Sequence, residues 1–190
     1  MHKDVRRDMS QGLADLKKGL PLLQQHCPEF GAGLCTFVSE YPGTIAGDLD
    51  ALSGFDAYQR WQGGMRGIAG RAQRGRVRRT FTIQTGRATG MDTEYRKRVH
   101  AIRHRTEGLM YPYWHAHAYL SDDGSQVQAI GLVKTEELFS WVYQREKAGY
   151  VFQRIPAGRE TFLAVSWDFY KHSGLYFFEY VAVAEKALVS

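Results

Sequence analysis

Leu13, Leu16, Leu20 and Leu23 recur at three- and four-residue spacing, the period of one helical face, so a helix is expected from about Asp8 to Gln25. Pro21 lies inside that stripe and is expected to end or kink it, because its ring removes a backbone donor. Gly31–Val38 holds a short β-prone run, and Tyr41-Pro42-Gly43 reads as a turn. A second helix is expected over Phe55–Gly63 (FDAYQRWQG). Gly64, Gly67 and Gly70 follow at three-residue spacing with arginines between. Two readings stand there: a flexible basic loop whose backbone approaches phosphate, or a helix with a small-residue face.

From Arg76 the period changes to two. Val77, Phe81 and Ile83 are apolar, while Arg78, Thr80, Thr82 and Gln84 share the other face, so Arg76–Thr85 is expected to be a strand. The link Gly86–Gly90 leads to a second expected strand, Met91 to about Ile102. Tyr113–Ser121 and Gln126–Val133 are the third and fourth, joined by an Asp122-Asp123-Gly124 turn. Thr135 is expected to cap a helix, with Glu136 and Glu137 in its first turn, Leu138, Phe139 and Val142 as its core stripe, and Gly149 as its stop. Thr161–Trp167 and Leu175–Val183 are further strand candidates. The order describes an α+β fold: N-terminal helices, a mostly antiparallel sheet of about five to six strands, and one helix after the fourth strand.

The chain has 190 residues, 44% hydrophobic and 13% aromatic, enough to fill one core. A helical segment over residues 1–60 and an α+β core over 61–190, together one compact unit, are expected. No run approaches ~18 apolar residues, so a membrane partner is not expected. MHKDVRRDMSQG lacks the apolar run of a secretory signal. Cys27 and Cys35 are too few for a disulfide scaffold, and a reduced, cytoplasmic chain is the expectation.

Charge changes the picture more than the net +5 implies. Between Arg60 and Arg105, thirteen basic residues face only Asp92 and Glu94, a surplus of eleven. Twelve of the thirteen are arginine, whose planar fork suits phosphate oxygens. Arg71, Arg74, Arg76, Arg78, Arg79, Arg87, Arg96 and Arg98 are the candidate contacts to nucleic acid, DNA being the expected partner. The plainer reading is a solvated basic face or a dock for an acidic protein.

The sharpest local feature is Trp114-His115-Ala116-His117-Ala118-Tyr119-Leu120. On a strand, His115 and His117 project from one face and can share a divalent cation, Mg or Mn, with a third ligand from elsewhere. His104, His100, Glu107, Asp92 and Glu94 are candidates, Asp92 and Glu94 sharing a face if they too lie on a strand. Against this stand two ordinary polar-face histidines and two acids balancing a basic strand. The last third is aromatic-rich. Phe177-Phe178 puts a ring on each sheet face, which fits a sheet covered on both sides or a homo-oligomer contact.

The histidine strand, preceded by Tyr111-Pro112-Tyr113-Trp114, resembles the metal-binding strand of HUH endonucleases, the rolling-circle initiators and relaxases. Phe81-Thr82-Ile83-Gln84-Thr85 is similar to their first motif. The resemblance implies a metal on His115 and His117 and a tyrosine nucleophile on a later helix, for which Tyr143, with Lys147 nearby, is the match. It covers about Phe81 to Lys147. It departs from the family in the short distance from histidines to tyrosine and in lacking Thr-Leu-Thr. Glu94-Tyr95-Arg96 also resembles the Glu-x-Lys of PD-(D/E)xK nucleases, which implies a catalytic role for Glu94 with an upstream acid such as Asp56 or Asp48. Arginine there departs from the lysine, since it does not deprotonate. The expected function is a metal-dependent DNA endonuclease, with a non-catalytic nucleic-acid-binding or assembly protein as the rival.

Overall fold

The structure, a computed structural model, describes residues 2–38, 54–87 and 92–182. The Tyr41-Pro42-Gly43 turn and residues 88–90 of the expected link lie outside them. Helix α1 (His2–His26) seats Leu16, Leu20, Leu23 and the following Cys27 in the core. It runs on through Pro21, whose ring lies on the exposed face. A proline there costs ~3 kcal/mol, but leucines buried on both sides of it return ~1.5–3 kcal/mol each.

Three strands follow as an antiparallel meander: β1 (Cys35–Phe37), β2 (Ala57–Trp61) and β3 (Gly64–Arg74). The helix expected over Phe55–Gly63 is therefore the first arm of a hairpin. Trp61 pairs with Gly64 across Gln62 and Gly63, both at positive φ, which makes a two-residue turn of the primed kind. Ala57 and Gln59 alternate inward, a period of two inside a segment that looked helical. The glycine series is neither loop nor helix. A Cβ on Gly67 would lie 2.8 Å from the Phe55 ring, and one on Gly70 2.5 Å from Leu16 of α1. Glycine lets these neighbours lie directly on the strand.

Strand β4 (Thr80–Arg87) leaves this sheet, and helix α2 (Glu94–Arg103) replaces the strand expected over Met91–Ile102. Thr93 accepts a hydrogen bond from the Arg96 N–H, an N-cap. Tyr95, Arg98, Val99, Ala101 and Ile102 face inward in whole or part, a helical spacing, not an alternation. A 3₁₀ turn (Arg105–Glu107) leads into β5 (Trp114–Leu120), which pairs parallel with β3, and β6 (Val127–Lys134) returns antiparallel. Helix α3 spans Thr135–Lys147. Thr135 is its buried first residue and makes no capping bond; Lys134 occupies the cap position. Strands β7 (Gln153–Ala157) and β8 (Glu160–Ser166), a short helix α4 (Trp167–Lys171) and β9 (Phe177–Val181) complete the described chain.

Two sheets result, one ordered β1-β2-β3-β5-β6-β9 and one ordered β4-β8-β7. The fold is α+β, with β3/β5 the one parallel pair among the described strands. Residues before 61 supply two strands of the large sheet as well as α1. Even-numbered β5 residues Trp114, Ala116, Ala118 and Leu120 pack with the α1 leucines. On the other face Tyr119 packs with Phe81 and Ile83 of β4, Leu163 and Val165 of β8, and Phe139 of α3. Among the described residues no helix is long and apolar enough to cross a membrane.

Candidate functional site

His115 and His117 do share a face of β5, as their spacing predicts, but that face is the interior between the sheets, and both are 0% exposed. What they meet there is the outer edge of β4. β8 pairs with one edge of β4; the N–H groups of Thr80, Thr82 and Gln84 face the other way. Side chains of the large sheet and α2 satisfy them in order. Thr80 N–H donates to the Tyr119 hydroxyl at 3.0 Å, Thr82 N–H to His117 Nδ1 at 3.4 Å, and Gln84 N–H to Glu94 Oε2 at 3.2 Å. The Tyr119 hydroxyl in turn donates to the Thr80 carbonyl at 3.0 Å. The His117 ring stacks on Tyr119 at 4.9 Å, nearly parallel. Alternate side chains of β5 and one from α2 thus take the place of a missing neighbouring strand, and they meet the rule that buried backbone donors find partners.

Glu94, first residue of α2, anchors this arrangement. Arg71 of β3 donates to its Oε2 at 2.8 Å, and His115 Nδ1 lies 3.9 Å from its Oε1. Burial alone would raise this carboxyl, but the guanidiniums of Arg71 and Arg98 outweigh it and bring it down to about 2. Burial would lower Arg71, yet Glu94, Asp56 and Glu160 carry it upward instead. Burial pushes His115 down to about 4 and His117 well below its ordinary value, so both imidazoles are neutral. With Nδ1 accepting from Thr82, His117 carries its proton on Nε2.

His115 Nδ1 and Nε2 and His117 Nε2 are buried without a hydrogen-bond partner among the described residues, with Glu94 the carboxylate beside His115. Among the described residues no three His, Cys, Asp or Glu side chains gather as a metal-binding group. Oε2 of Glu94 already serves Arg71 and Gln84, and two guanidiniums stand close enough to repel an incoming cation. Asp92 and His104, the other expected ligands, do not join. Asp92 precedes α2 and is exposed, because the segment is a helix start and the strand alternation that paired it with Glu94 does not exist. His104 caps the far end of α2 and bonds Glu107 at 2.8 Å.

Nor do the eight nominated arginines share one free face. Arg71 is held by Glu94. Arg74 makes a two-pronged pair with Asp15 of α1 at 2.7 and 2.8 Å. Arg79 meets Glu179 at 2.7 Å and Asp168 at 3.3 Å, Arg87 lies 3.8 Å from Glu160, and buried Arg98 donates to the Gly54 carbonyl at 2.7 Å. Arg76, Arg78 and Arg96 are exposed. Apart from Glu94, the acids that neutralise the others come from α1, β8, α4 and β9, distant in sequence, so local charge counting does not reveal them.

Tyr143 lies apart from the histidine strand. It lines a surface groove of about 480 Å³ between α2 and α3, together with Tyr95, Arg96, Val99, His100, Arg103, His104, Glu146 and Lys147. Arg103 donates to the Tyr143 hydroxyl at 3.1 Å, and the cationic groups of Arg103 and Lys147 lie over the Tyr143 ring at 5.3 and 5.2 Å. The one carboxylate in the groove among the described residues, Glu146, is engaged on both oxygens, by the Tyr95 hydroxyl and by Arg154, each at 2.5 Å. Arg96, Arg103 and Lys147 therefore line a concavity whose own acid is spent. Sequence reasoning named Arg96, Tyr143, Lys147 and, as ligands, His100 and His104, but not the groove. The signal was present in the helical spacing Arg96, His100, Arg103, hidden by reading the segment as a strand. No family model, curated protein or solved structure matches this chain.

Proposed function

We propose that this chain binds nucleic acid and grips phosphate with α2 and the groove between α2 and α3. The observation that carries the reading is the groove itself: Arg96, Arg103 and Lys147 around two phenols, with Glu146 already taken by Tyr95 and Arg154. Cations released from internal pairing exchange water and counterions for phosphate oxygens, and arginine does so with a fork that fits them. The free thiols Cys27 and Cys35 suit a reducing, cytoplasmic setting. The test is binding to mixed-sequence DNA and RNA by fluorescence anisotropy across a salt series. Wild-type affinity is expected to fall steeply with salt, and Arg96→Ala/Arg103→Ala/Lys147→Ala to lose at least thirtyfold with an unchanged melting curve. Full binding by that triple variant overturns the reading.

An endonuclease reading has one observation in its favour. Asp56 and Glu94, the acids implied by the PD-(D/E)xK resemblance, both act on Arg71, and Asp56 also accepts from the Gly70 N–H at 2.7 Å. That cluster is partly buried, with Arg71 keeping 31% of its side chain exposed. Supercoiled DNA left intact by the wild-type protein with Mg or Mn removes this reading and leaves binding alone.

A further inference from the structure

We infer that the α2–α3 groove takes a single strand of nucleic acid in preference to a duplex, an inference that rests on the binding reading above. Arg96 and Arg103 lie seven residues apart on α2, which places them ~10.5 Å apart along the helix axis. About three stacked nucleotides of one strand, at ~3.4 Å rise each, cover that distance. Lys147 faces them from α3 across a concavity of about 480 Å³. All three cations thus address one short run of backbone. A duplex carries its second backbone across a groove ~6 or ~12 Å wide, and no cation of this site reaches out to meet it.

The lining between the cations supports the same occupant. Val99, Tyr95 and Tyr143 supply apolar surface and ring faces. The charged groups of Arg103 and Lys147 lie over the Tyr143 ring, and a phosphate that draws either of them away uncovers a ring face for the base beside it. Paired bases expose only their edges; unpaired bases offer a face to stack. The walls are also fixed before binding. Glu94 and Arg98 tie α2 to β3 and to the Gly54 carbonyl, so the flexible partner is the strand that adapts to the site.

The experiment compares a labelled, non-self-complementary oligonucleotide of about 15 nucleotides with the same strand annealed to its complement, by anisotropy at several salt concentrations. The single strand is expected to bind at least tenfold tighter, with a log–log salt slope near −2, as three phosphate contacts on a single strand give. Arg103→Ala and Lys147→Ala are each expected to flatten that slope by about 0.7. Tyr143→Ala is expected to weaken the single strand about tenfold and leave residual duplex binding unchanged. Should Tyr143→Ala disturb its helix, the exposed change Arg103→Glu carries the test. Duplex binding as tight as single-strand binding, weakened equally by the groove variants, overturns the strand preference while keeping the binding reading. Failure of the wild-type protein to bind either form at low salt overturns both.

Discussion

The interior between the sheets and the groove between α2 and α3 use nearly the same side chains for opposite ends. Each holds two histidines, arginines and a glutamate, with one tyrosine inside and two in the groove. Inside, the edge of β4 claims one atom each of Tyr119, His117 and Glu94, which accept from successive alternate N–H groups, while both nitrogens of His115 have no hydrogen-bond partner among the described residues. In the groove, the His100 and His104 rings lie 4.5 Å apart, and Tyr143 meets only the arginine beside it among the polar contacts described for it. The difference is water. A polar atom shut away from solvent must find a protein partner or cost ~1–3 kcal/mol, so it becomes architecture. One left at the surface keeps water as its partner and can exchange it for a phosphate.

The largest expected effect lies in the interior. Glu94→Gln leaves half-buried Arg71 and buried Arg98 without the carboxylate that balances them. Breaking one side of a fully buried pair costs ~3–5 kcal/mol. This pair lies at the lower end because Arg71 keeps 31% of its side chain exposed, and for a domain this size each kcal/mol is worth ~2–4 °C in Tm. A fall of about 10 °C is expected in a thermal melt followed by circular dichroism. Arg71→Met/Glu94→Gln, which removes both charges, is expected to recover a good part of it. A single variant that melts within a degree of wild type would mean that the pair holds nothing, and the contrast between the two regions would fail.

The comparison also explains what could be read beforehand. The α1 leucine stripe, β5, β6 and α3 were legible, because each has a strong period and a turn or capping signal at its end. The β2–β3 hairpin was not, since Gln62-Gly63 adopts a turn that Asn-Gly or Asp-Gly would have advertised, and the glycines of β3 answer to Phe55 and Leu16, whose approach no local pattern records. Helix α2 was misread through Asp92 and Glu94, whose alternation is accidental, although Thr93 and the Tyr95–Val99–Ile102 spacing carried the right signal. The shared face of His115 and His117 was legible. Its direction, inward onto the edge of β4, depends on how two sheets stack and has no local signature.

The next effect is in pH. Burial holds His115 down at about 4 and His117 lower than usual, so both fold neutral. In the unfolded chain an imidazole takes up its proton near 6.5. Between those values the unfolded state binds more protons, so stability rises with pH across the window and is lost on acidification from about 6.5 toward 4. Glu94, held at about 2, contributes above the ordinary carboxylate range and loses its contribution only as pH falls from about 4.5 toward 2, so it does not mask the upper window. His115 alone accounts for about 3 kcal/mol at the limit. Urea melts at pH 7 and pH 5 are expected to separate clearly for wild type and by less for His115→Gln. Equal separations would place His115 in water.

The finest test makes one chemical change in both places. Tyr119→Phe removes the hydroxyl that serves both the N–H and the carbonyl of Thr80, leaving two backbone groups at the edge of β4 without that partner. The expected loss is ~1–3 kcal/mol. Tyr143→Phe removes a hydroxyl that accepts only from exposed Arg103 at 3.1 Å among its described contacts, and water replaces it at once. There the expected change is below ~0.5 kcal/mol, with single-strand affinity held within about twofold because the ring remains. Denaturant midpoints for the two variants, measured side by side, give the difference directly. If Tyr143→Phe costs as much as Tyr119→Phe, the groove is packed structure and has no face to offer a ligand. If Tyr119→Phe costs as little as Tyr143→Phe, the β4 edge does not depend on the side chains of β5 that close it.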